Sequence, residues 1–312
     1  MSDWHLTTPV VFIIYKRPET TTRVFREIAR AKPPVLFVVG DGPREDRPGE
    51  ADKVARTRKI IEEGVDWNCE VLTNYSDVHL GCRRRISSGL DWVFQHVEKA
   101  IILEDDCLPH PSFFRFCEEL LNLHKEDESI FAICGFFKFV RSPYPPASYS
   151  RMSFPLVWGW ATWRRVWEQY DVDMKDWDGN IDAVGIFSTF SPQAKAYWRE
   201  KFNAIRANKI DTWDYQFAFL VLRKRGYCLH PHRNLISNIG FGPDALHTWY
   251  RFDETAALPV ESVEFPLRYV REYTEYDDYL RDEFFVIHPM WRRAFKKFLL
   301  GPIVRFRNLF RL

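Results

Sequence analysis

The first hundred residues alternate between continuous apolar runs and stretches with helical spacing. Val10-Val11-Phe12-Ile13-Ile14-Tyr15 and Val35-Leu36-Phe37-Val38-Val39 read as strands buried on both faces. Pro18 suits the first turn of a helix that runs through Val24, Phe25 and Ile28. Gly40-Asp41-Gly42-Pro43 marks a turn after the second strand. A second helix is predicted from Glu50 to Glu63 and a short strand from Cys69 to Leu72. Ile86, Leu90, Val93 and Val97 share one helical face. Ala100-Ile101-Ile102-Leu103 is the fourth strand. A helix from about Pro111-Ser112 turns Phe113, Phe114, Cys117, Leu120 and Leu121 inward, and Ile130 to Cys134 is a further strand. Such alternation predicts an α/β fold with a mostly parallel sheet flanked by helices. Beyond about Ser142 the pattern becomes irregular: Pro143-Tyr144-Pro145-Pro146 is a loop, and Trp158, Trp160, Trp163 and Trp167 crowd together.

Composition changes this picture in three places. Aromatic residues make up 16% of the chain and 12 are tryptophan; sugar-binding faces and an aromatic core both account for that. Net charge is +1, yet His288 to Leu312 carries seven basic residues and no acid, which leaves a mildly acidic body. That distribution argues against general nucleic-acid binding and for a local partner of the tail. In the tail, Trp291, Ala294, Phe295, Phe298 and Leu299 lie opposite Arg292, Arg293, Lys296 and Lys297, as in a helix lying on an anionic membrane surface. A terminal helix packed on the body is the other reading. The six cysteines show no CxxC spacing, so reduced thiols of a cytoplasmic protein are expected. MSDWHLTTP lacks the pattern of a signal peptide, and no run of about 18 apolar residues is present.

The candidate chemistry lies at the ends of the predicted strands, where open parallel sheets bind ligands. Lys16-Arg17-Pro18 follows the first strand, Asp41 the second, and Glu104-Asp105-Asp106 the fourth. Three adjacent carboxylates at a buried strand end need a counter-charge. Magnesium or manganese, which prefers oxygen ligands and combines one or two carboxylates with substrate phosphates, would supply it. A solvated acidic turn is the bland alternative. Arg17 and Asp41 are each open to a ligand contact or to a surface ion pair and an Asx turn. Gly81-Cys82-Arg83-Arg84-Arg85 precedes a helix, where arginines grip phosphate or form a solvated turn. Asp211-Thr212-Trp213-Asp214 offers carboxylates for a general base. His247 sits in a glycine-containing loop.

The order of these motifs resembles the GT-A glycosyltransferases, most closely the N-acetylglucosaminyltransferase I-like branch and its bacterial polysaccharide-type members. The resemblance rests on Ile101-Ile102-Leu103-Glu104-Asp105-Asp106 followed by Pro111-Ser112-Phe113-Phe114, with Phe12 to Pro18, Gly40-Asp41-Gly42, Trp158 to Trp163, Trp213-Asp214-Tyr215 and Asn238 to His247 in sequence order. It implies one GT-A domain over 1–260, with a donor half to about 140 and an acceptor half over 141–260. Residues 261–312 would form an extension ending in the basic amphipathic helix. It also implies roles. Asp106 would ligate Mn2+ or Mg2+, Asp105 would bind ribose, and Glu104 a sugar hydroxyl. Arg17 would contact the donor, Asp41 the uracil, and His247 the diphosphate. Asp214 would deprotonate the acceptor, with inversion at the anomeric carbon. Arg84 is assigned a basic donor contact. The acceptor would be a glycan or a lipid-linked sugar, reached by a peripheral protein on the cytoplasmic face of the inner membrane. A sugar nucleotidylyltransferase is the alternative enzyme, although a Gly-rich loop with a lysine is expected there after the first strand. A non-catalytic carbohydrate-binding protein at the membrane is the alternative outside catalysis.

Overall fold

The protein, in a computed structural model, is described over residues 4–138, 148–241 and 257–270. The first hundred residues follow the predicted alternation: β1 (Val10–Ile14), α1 (Pro18–Ala31), β2 (Val35–Gly40), α2 (Glu50–Gly64), β3 (Glu70–Tyr75), α3 (Gly81–His96) and β4 (Lys99–Glu104). Then come β5 (Cys107–Pro109), α4 (Ser112–Leu123), β6 (Ile130–Cys134), β7 (Tyr149–Met152), β8 (Trp160–Trp163), α5 (Arg164–Trp167), α6 (Pro192–Arg206), α7 (Asp214–Arg223), β9 (Tyr227–Pro231), β10 (Ile236–Asn238) and β11 (Tyr269–Val270).

Local sequence explains the main elements. Every residue of β1 and β6 is buried, as expected for strands covered on both faces. α1 opens with proline and Glu19 and ends with Arg30, in keeping with the helix dipole. Its Thr21, Val24, Phe25 and Ile28 face the sheet, spaced by three and four. Lys32 then takes a left-handed φ of 50° and its N–H bonds the Ile28 carbonyl, which stops the helix. α4 buries the predicted Phe113, Phe114, Cys117, Leu120 and Leu121, and Phe116 besides.

Nine strands form one sheet in the order β11-β7-β9-β6-β8-β4-β1-β2-β3. Its pairings are mostly parallel, but β8 runs antiparallel between β4 and β6, and β7 runs antiparallel to β9. The chain moves outward from β1 to β2 and β3, then returns to place β4 on the other side of β1. Loops leaving two such adjacent strands diverge and open a crevice at their carboxyl ends. A separate antiparallel pair joins β5 to β10, with Cys107 opposite Asn238. This pair draws the segment after β10 onto the end of β4.

The tryptophan-rich region is mainly core. Trp160, Trp163, Trp167, Trp177, Trp198 and Trp213 are all buried. Trp160 stacks on Trp213 at 5.3 Å and 24°, and Trp167 on Tyr170 at 4.3 Å and 11°. These ring contacts join β8 to the start of α7, so aromatic packing fixes where Asp214 stands relative to β4.

Candidate active site

The ends of β1 and β4 bring Arg17 together with Glu104, Asp105 and Asp106. Register places Ile13 beside Glu104. The Tyr15 amide donates to Asp105 Oδ2 at 3.1 Å, which ties the loop after β1 to the loop after β4. Arg17 Nη1 contacts Asp105 Oδ1 at 3.3 Å and pairs with Asp106 Oδ2. The backbone of Asp106 is held as well, since its carbonyl accepts from Ile239 N at 2.8 Å. Gly240 then lies so close to Asp106 that a Cβ there would stand 2.8 Å from the Asp106 Cβ and Cγ.

Charge is unbalanced here. Burial, then the neighbouring Asp106, Asp105 and Asp214 carboxylates, push the Glu104 carboxyl up to about 8, against the opposing pull of Arg17. Burial also raises Asp105 to about 6, although Arg17 and the Tyr15 amide act the other way. Asp214 therefore lies within electrostatic reach of Glu104, although 110 residues separate them. The Cys82 thiol reports the same convergence: burial and the field of Glu104, Asp214, Asp211 and Asp106 push it well above its ordinary value.

Asp214 begins α7, and its Oδ1 accepts from the Thr212 hydroxyl. The Tyr170 hydroxyl donates to the Trp213 carbonyl at 3.1 Å, and the Gln216 amide to the Thr212 carbonyl at 2.7 Å. The acid thus follows directly on two residues whose backbone carbonyls are both held by side chains.

Asp41 is buried at the end of β2. Its Oδ1 accepts from the amides of Gly42 (2.9 Å) and Leu80 (2.9 Å), and its Oδ2 from Gly81 N (3.1 Å) and the His79 ring (2.7 Å). This carboxylate organises the loop that opens α3. His79 in turn stacks on Tyr15 at 5.2 Å. Beside it, Glu50 is a buried hub. It accepts from the Tyr15 hydroxyl, Lys16 Nζ at 2.6 Å, and Arg44 N, Nε and Nη2 at 3.0, 3.0 and 2.7 Å. Burial alone would raise the Glu50 carboxyl, yet these donors hold it well below the usual carboxylate range. Sequence reading passed over Glu50 and His79. Glu50 looks like any first-turn acid, and His79 like a loop histidine.

The three arginines after Gly81 separate. Arg83 is buried and bonds the Val172 carbonyl at 2.6 Å, Asn208 Oδ1 at 2.6 Å and Asp173 Oδ1 at 3.1 Å. Arg85 is buried against Asn74, with Nη2 2.6 Å from its Oδ1. Arg84 is exposed, with no ion pair among the described residues. His247 and the basic tail from His288 to Leu312 lie outside the described residues.

Among the described residues, no three His, Cys, Asp or Glu side chains gather in a metal-holding arrangement. The donor set still suits a hard divalent cation of the magnesium type, which takes one or two carboxylates and completes its shell with water and substrate phosphates. Four carboxylates (Glu104, Asp105, Asp106 and Asp214) share the crevice with the Arg17 cation, so a further positive charge has an electrostatic place there. Two grooves lie off this crevice. One, of about 470 Å³, runs between α1 and α2 along Arg56, Lys59 and Glu63. The other, of about 200 Å³, borders Lys16, Arg47 and Lys53. Neither contains the triplet, whose Asp105 and Asp106 carboxylates face Arg17 at the ends of β1 and β4.

No family model matches the chain, and no curated protein matches it. Solved structures do. A UDP-glucose pyrophosphorylase complexed with UDP-glucose is 11% identical, over 72% of this chain and 90% of that one, with a TM-score of 0.37. An apo UDP-glucose pyrophosphorylase is 10% identical, over 71% and 90%, with a TM-score of 0.34.

Proposed function

We propose that this chain is a metal-dependent glycosyltransferase that moves a sugar from a nucleotide diphosphate-sugar, UDP-linked by the resemblance, to a hydroxyl of a glycan or lipid-linked acceptor. The observation that supports it most is the meeting of Arg17, Glu104-Asp105-Asp106 and Asp214 where the strand order reverses. Arg17 and Asp105 would orient the donor, and Glu104 would accept from a sugar hydroxyl. Asp214 would take the proton of the attacking acceptor hydroxyl at a carboxylate oxygen. A divalent cation held by Asp106 would supply charge stabilisation for the departing diphosphate. Inversion at the anomeric carbon follows from the resemblance alone. His247 is assigned to the diphosphate side on the same ground, and Arg84 to a basic donor contact where the family's second uracil-contacting residue has no counterpart here.

The test is binding of UDP and GDP with and without Mn2+, repeated with Asp106→Ala and Asp214→Asn. Metal-supported UDP binding that disappears in Asp106→Ala supports the reading. Asp214→Asn should keep donor affinity and lose transfer by at least about 100-fold, the scale of a missing general base. Glycan binding that ignores both the metal and the Asp106 substitution would instead indicate a non-catalytic carbohydrate-binding protein. Both solved structures above are pyrophosphorylases by name, but likeness at that level bears on neither reaction. A sugar nucleotidylyltransferase therefore stands as an outcome of the test: with UTP and a sugar 1-phosphate it would release pyrophosphate.

A further inference from the structure

The first turn of α3 is closed by carboxylates from two distant segments. A helix leaves its first four N–H groups without intrahelical partners. Here Leu80 precedes the helix, and its side chain has no acceptor to offer. Asp41 takes the amides of Leu80 and Gly81. Asp211 takes the next two, with Oδ2 3.0 Å from Cys82 N and Oδ1 2.9 Å from Arg83 N. Asp211 stands 128 residues beyond Arg83 and three before Asp214.

The fit is close. Gly81 has a φ of +80°, and a Cβ on it would lie 2.5 Å from Asp211 Oδ2. A side chain at position 81 would therefore push the carboxylate off the helix. Arg83 adds a second tie in the same direction. Its guanidinium reaches back to Val172, Asp173 and Asn208, on segments adjoining the Asp211 loop. The start of α3 thus grips the acceptor half through a side chain, while the acceptor half grips α3 through Asp211.

We infer that Asp211 is a positioning residue: it fastens the segment that carries Asp214 to the first turn of α3, and so sets where the acceptor base stands relative to the triplet on β4. The inference rests on the transferase reading for its catalytic meaning, but the tether itself is a feature of the fold. Three residues of connection are short, so a shift at Asp211 passes to Asp214. The Thr212 and Trp213 carbonyls fix the intervening backbone to Gln216 and Tyr170. No other residue between 209 and 213 bonds α3 among the described contacts. Without Asp211, the amides of Cys82 and Arg83 lose their partners, and the loop keeps only the tie from the Arg83 guanidinium to Asn208, three residues before position 211.

The experiment uses the full chain and three variants: Asp211→Ala, Gly81→Ala and Asp211→Asn. Hydrogen exchange is read at Cys82 and Arg83, and at Phe217, whose N–H bonds the Trp213 carbonyl at 3.3 Å. Both alanine variants should speed exchange at all three amides by roughly 5- to 30-fold, the scale of a lost cap. Asn, which keeps one acceptor oxygen, should recover part of the protection. Amides of β1 should stay unchanged. The second readout is UDP release from UDP-glucose and UDP-N-acetylglucosamine with Mn2+, and the affinity for UDP with Mn2+. The alanine variants should lower kcat for release and leave UDP affinity within about twofold, because Arg17 and Asp105 are untouched.

Faster exchange confined to Cys82 and Arg83, with Phe217 protected as in the parent, would overturn the inference. So would a kcat unchanged in both alanine variants of a parent that does release UDP. A parent that neither binds UDP with Mn2+ nor releases it would defeat the transferase reading instead. The exchange pattern would then still decide whether the tether exists.

Discussion

Gly240→Ala addresses the proposed metal ligand without altering any charge. The added Cβ would lie 2.8 Å from both Cβ and Cγ of Asp106, where ordinary contacts start at 3.4 Å, and it would come closer still to Oδ2. One side must yield by about 0.6 Å at two atoms at once. The backbone is the stiffer side: Gly240 N bonds Asn238 Oδ1 at 2.9 Å, and Ile239 N bonds the Asp106 carbonyl at 2.8 Å. Rotation of the Asp106 side chain carries Cγ and Oδ2 away and opens the pair with Arg17, but it leaves Cβ in place, so the contact with Cβ is relieved only if the backbone gives as well. Gly240 is absent from the positive-φ glycines, so alanine brings no backbone strain of its own. Overpacking of this kind costs about 1–3 kcal/mol. Moving a ligating carboxylate should also weaken metal-supported UDP binding by roughly 10- to 100-fold. Gly49→Ala is the matched control. Gly49 has a φ of +77° with nothing within 4 Å of its Cβ position. It should lose about 1–2 kcal/mol to left-handed strain alone and bind UDP as the parent does. Calorimetric titration of UDP with Mn2+, paired with urea unfolding, separates the two effects. If Gly240→Ala loses stability yet binds UDP and Mn2+ like the parent, Asp106 is not the ligand.

Glu118 predicts an acid limb. Burial would raise its carboxyl, but donors from the amides and hydroxyls of Thr7 and Thr8, at 2.7 to 2.9 Å, hold it below its ordinary value. A depressed folded value means stabilisation at pH above the unfolded value, lost as pH falls through the folded one. Glu118→Gln should therefore flatten the loss of stability seen below about pH 4.5 in acid-unfolding curves, and an unchanged curve would count against the assignment. Glu104 and Asp105, raised to about 8 and about 6, carry the opposite sign. The cation-free protein should gain Tm as pH drops from about 9 towards 6, and added Mn2+ should raise Tm most at the alkaline end. A Tm insensitive to both would contradict the charge imbalance described. Finally, we propose that the basic stretch over 288–312 holds the protein on anionic membrane surfaces. Deleting it should release the protein from phosphatidylserine-containing vesicles in a flotation assay, and undiminished flotation refutes the proposal.

The first hundred residues were legible because burial on both faces leaves continuous apolar runs, and each run proved to be a strand. The triplet stood out for the same reason: charges that end an apolar run are visible without knowing what lies across from them. Arg17 was visible as a cation at the matching end of β1. Less legible was β8, since Trp160-Ala161-Thr162-Trp163 reads as an aromatic cluster. Nothing local says that it inserts antiparallel between β4 and β6. Of the tryptophans, weighed as sugar platforms, Trp160, Trp167 and Trp213 are spent on fixing α7 against that strand. Least legible were the carboxylates that close α3. Asp41 and Asp211 act on amides about 40 and 128 residues away in sequence, and their spacing carries no trace of a shared partner. Glu50 failed to show for a similar reason: its donors come from two separate loops, after β1 and after β2.

The loop after β1 bears on which reaction the crevice serves. A nucleotidylyl transfer has to bind a triphosphate, and a glycine-rich turn with a free lysine suits that task, since backbone amides and a mobile ammonium can wrap the phosphates. Here the turn is Tyr15-Lys16-Arg17-Pro18. Proline has no N–H, the Tyr15 amide is already given to Asp105, and Lys16 is turned onto the buried Glu50 at 2.6 Å. Freeing Lys16 would leave Glu50 with fewer donors in a buried place, at a cost of about 1–3 kcal/mol before any phosphate is bound. Arg17 is the cation paired with Asp105 and Asp106 among the described residues, and a guanidinium there suits a diphosphate. Under the transferase reading proposed above, the end of β1 would hold the diphosphate side of the donor, and the acid at the start of α7 would serve the acceptor hydroxyl.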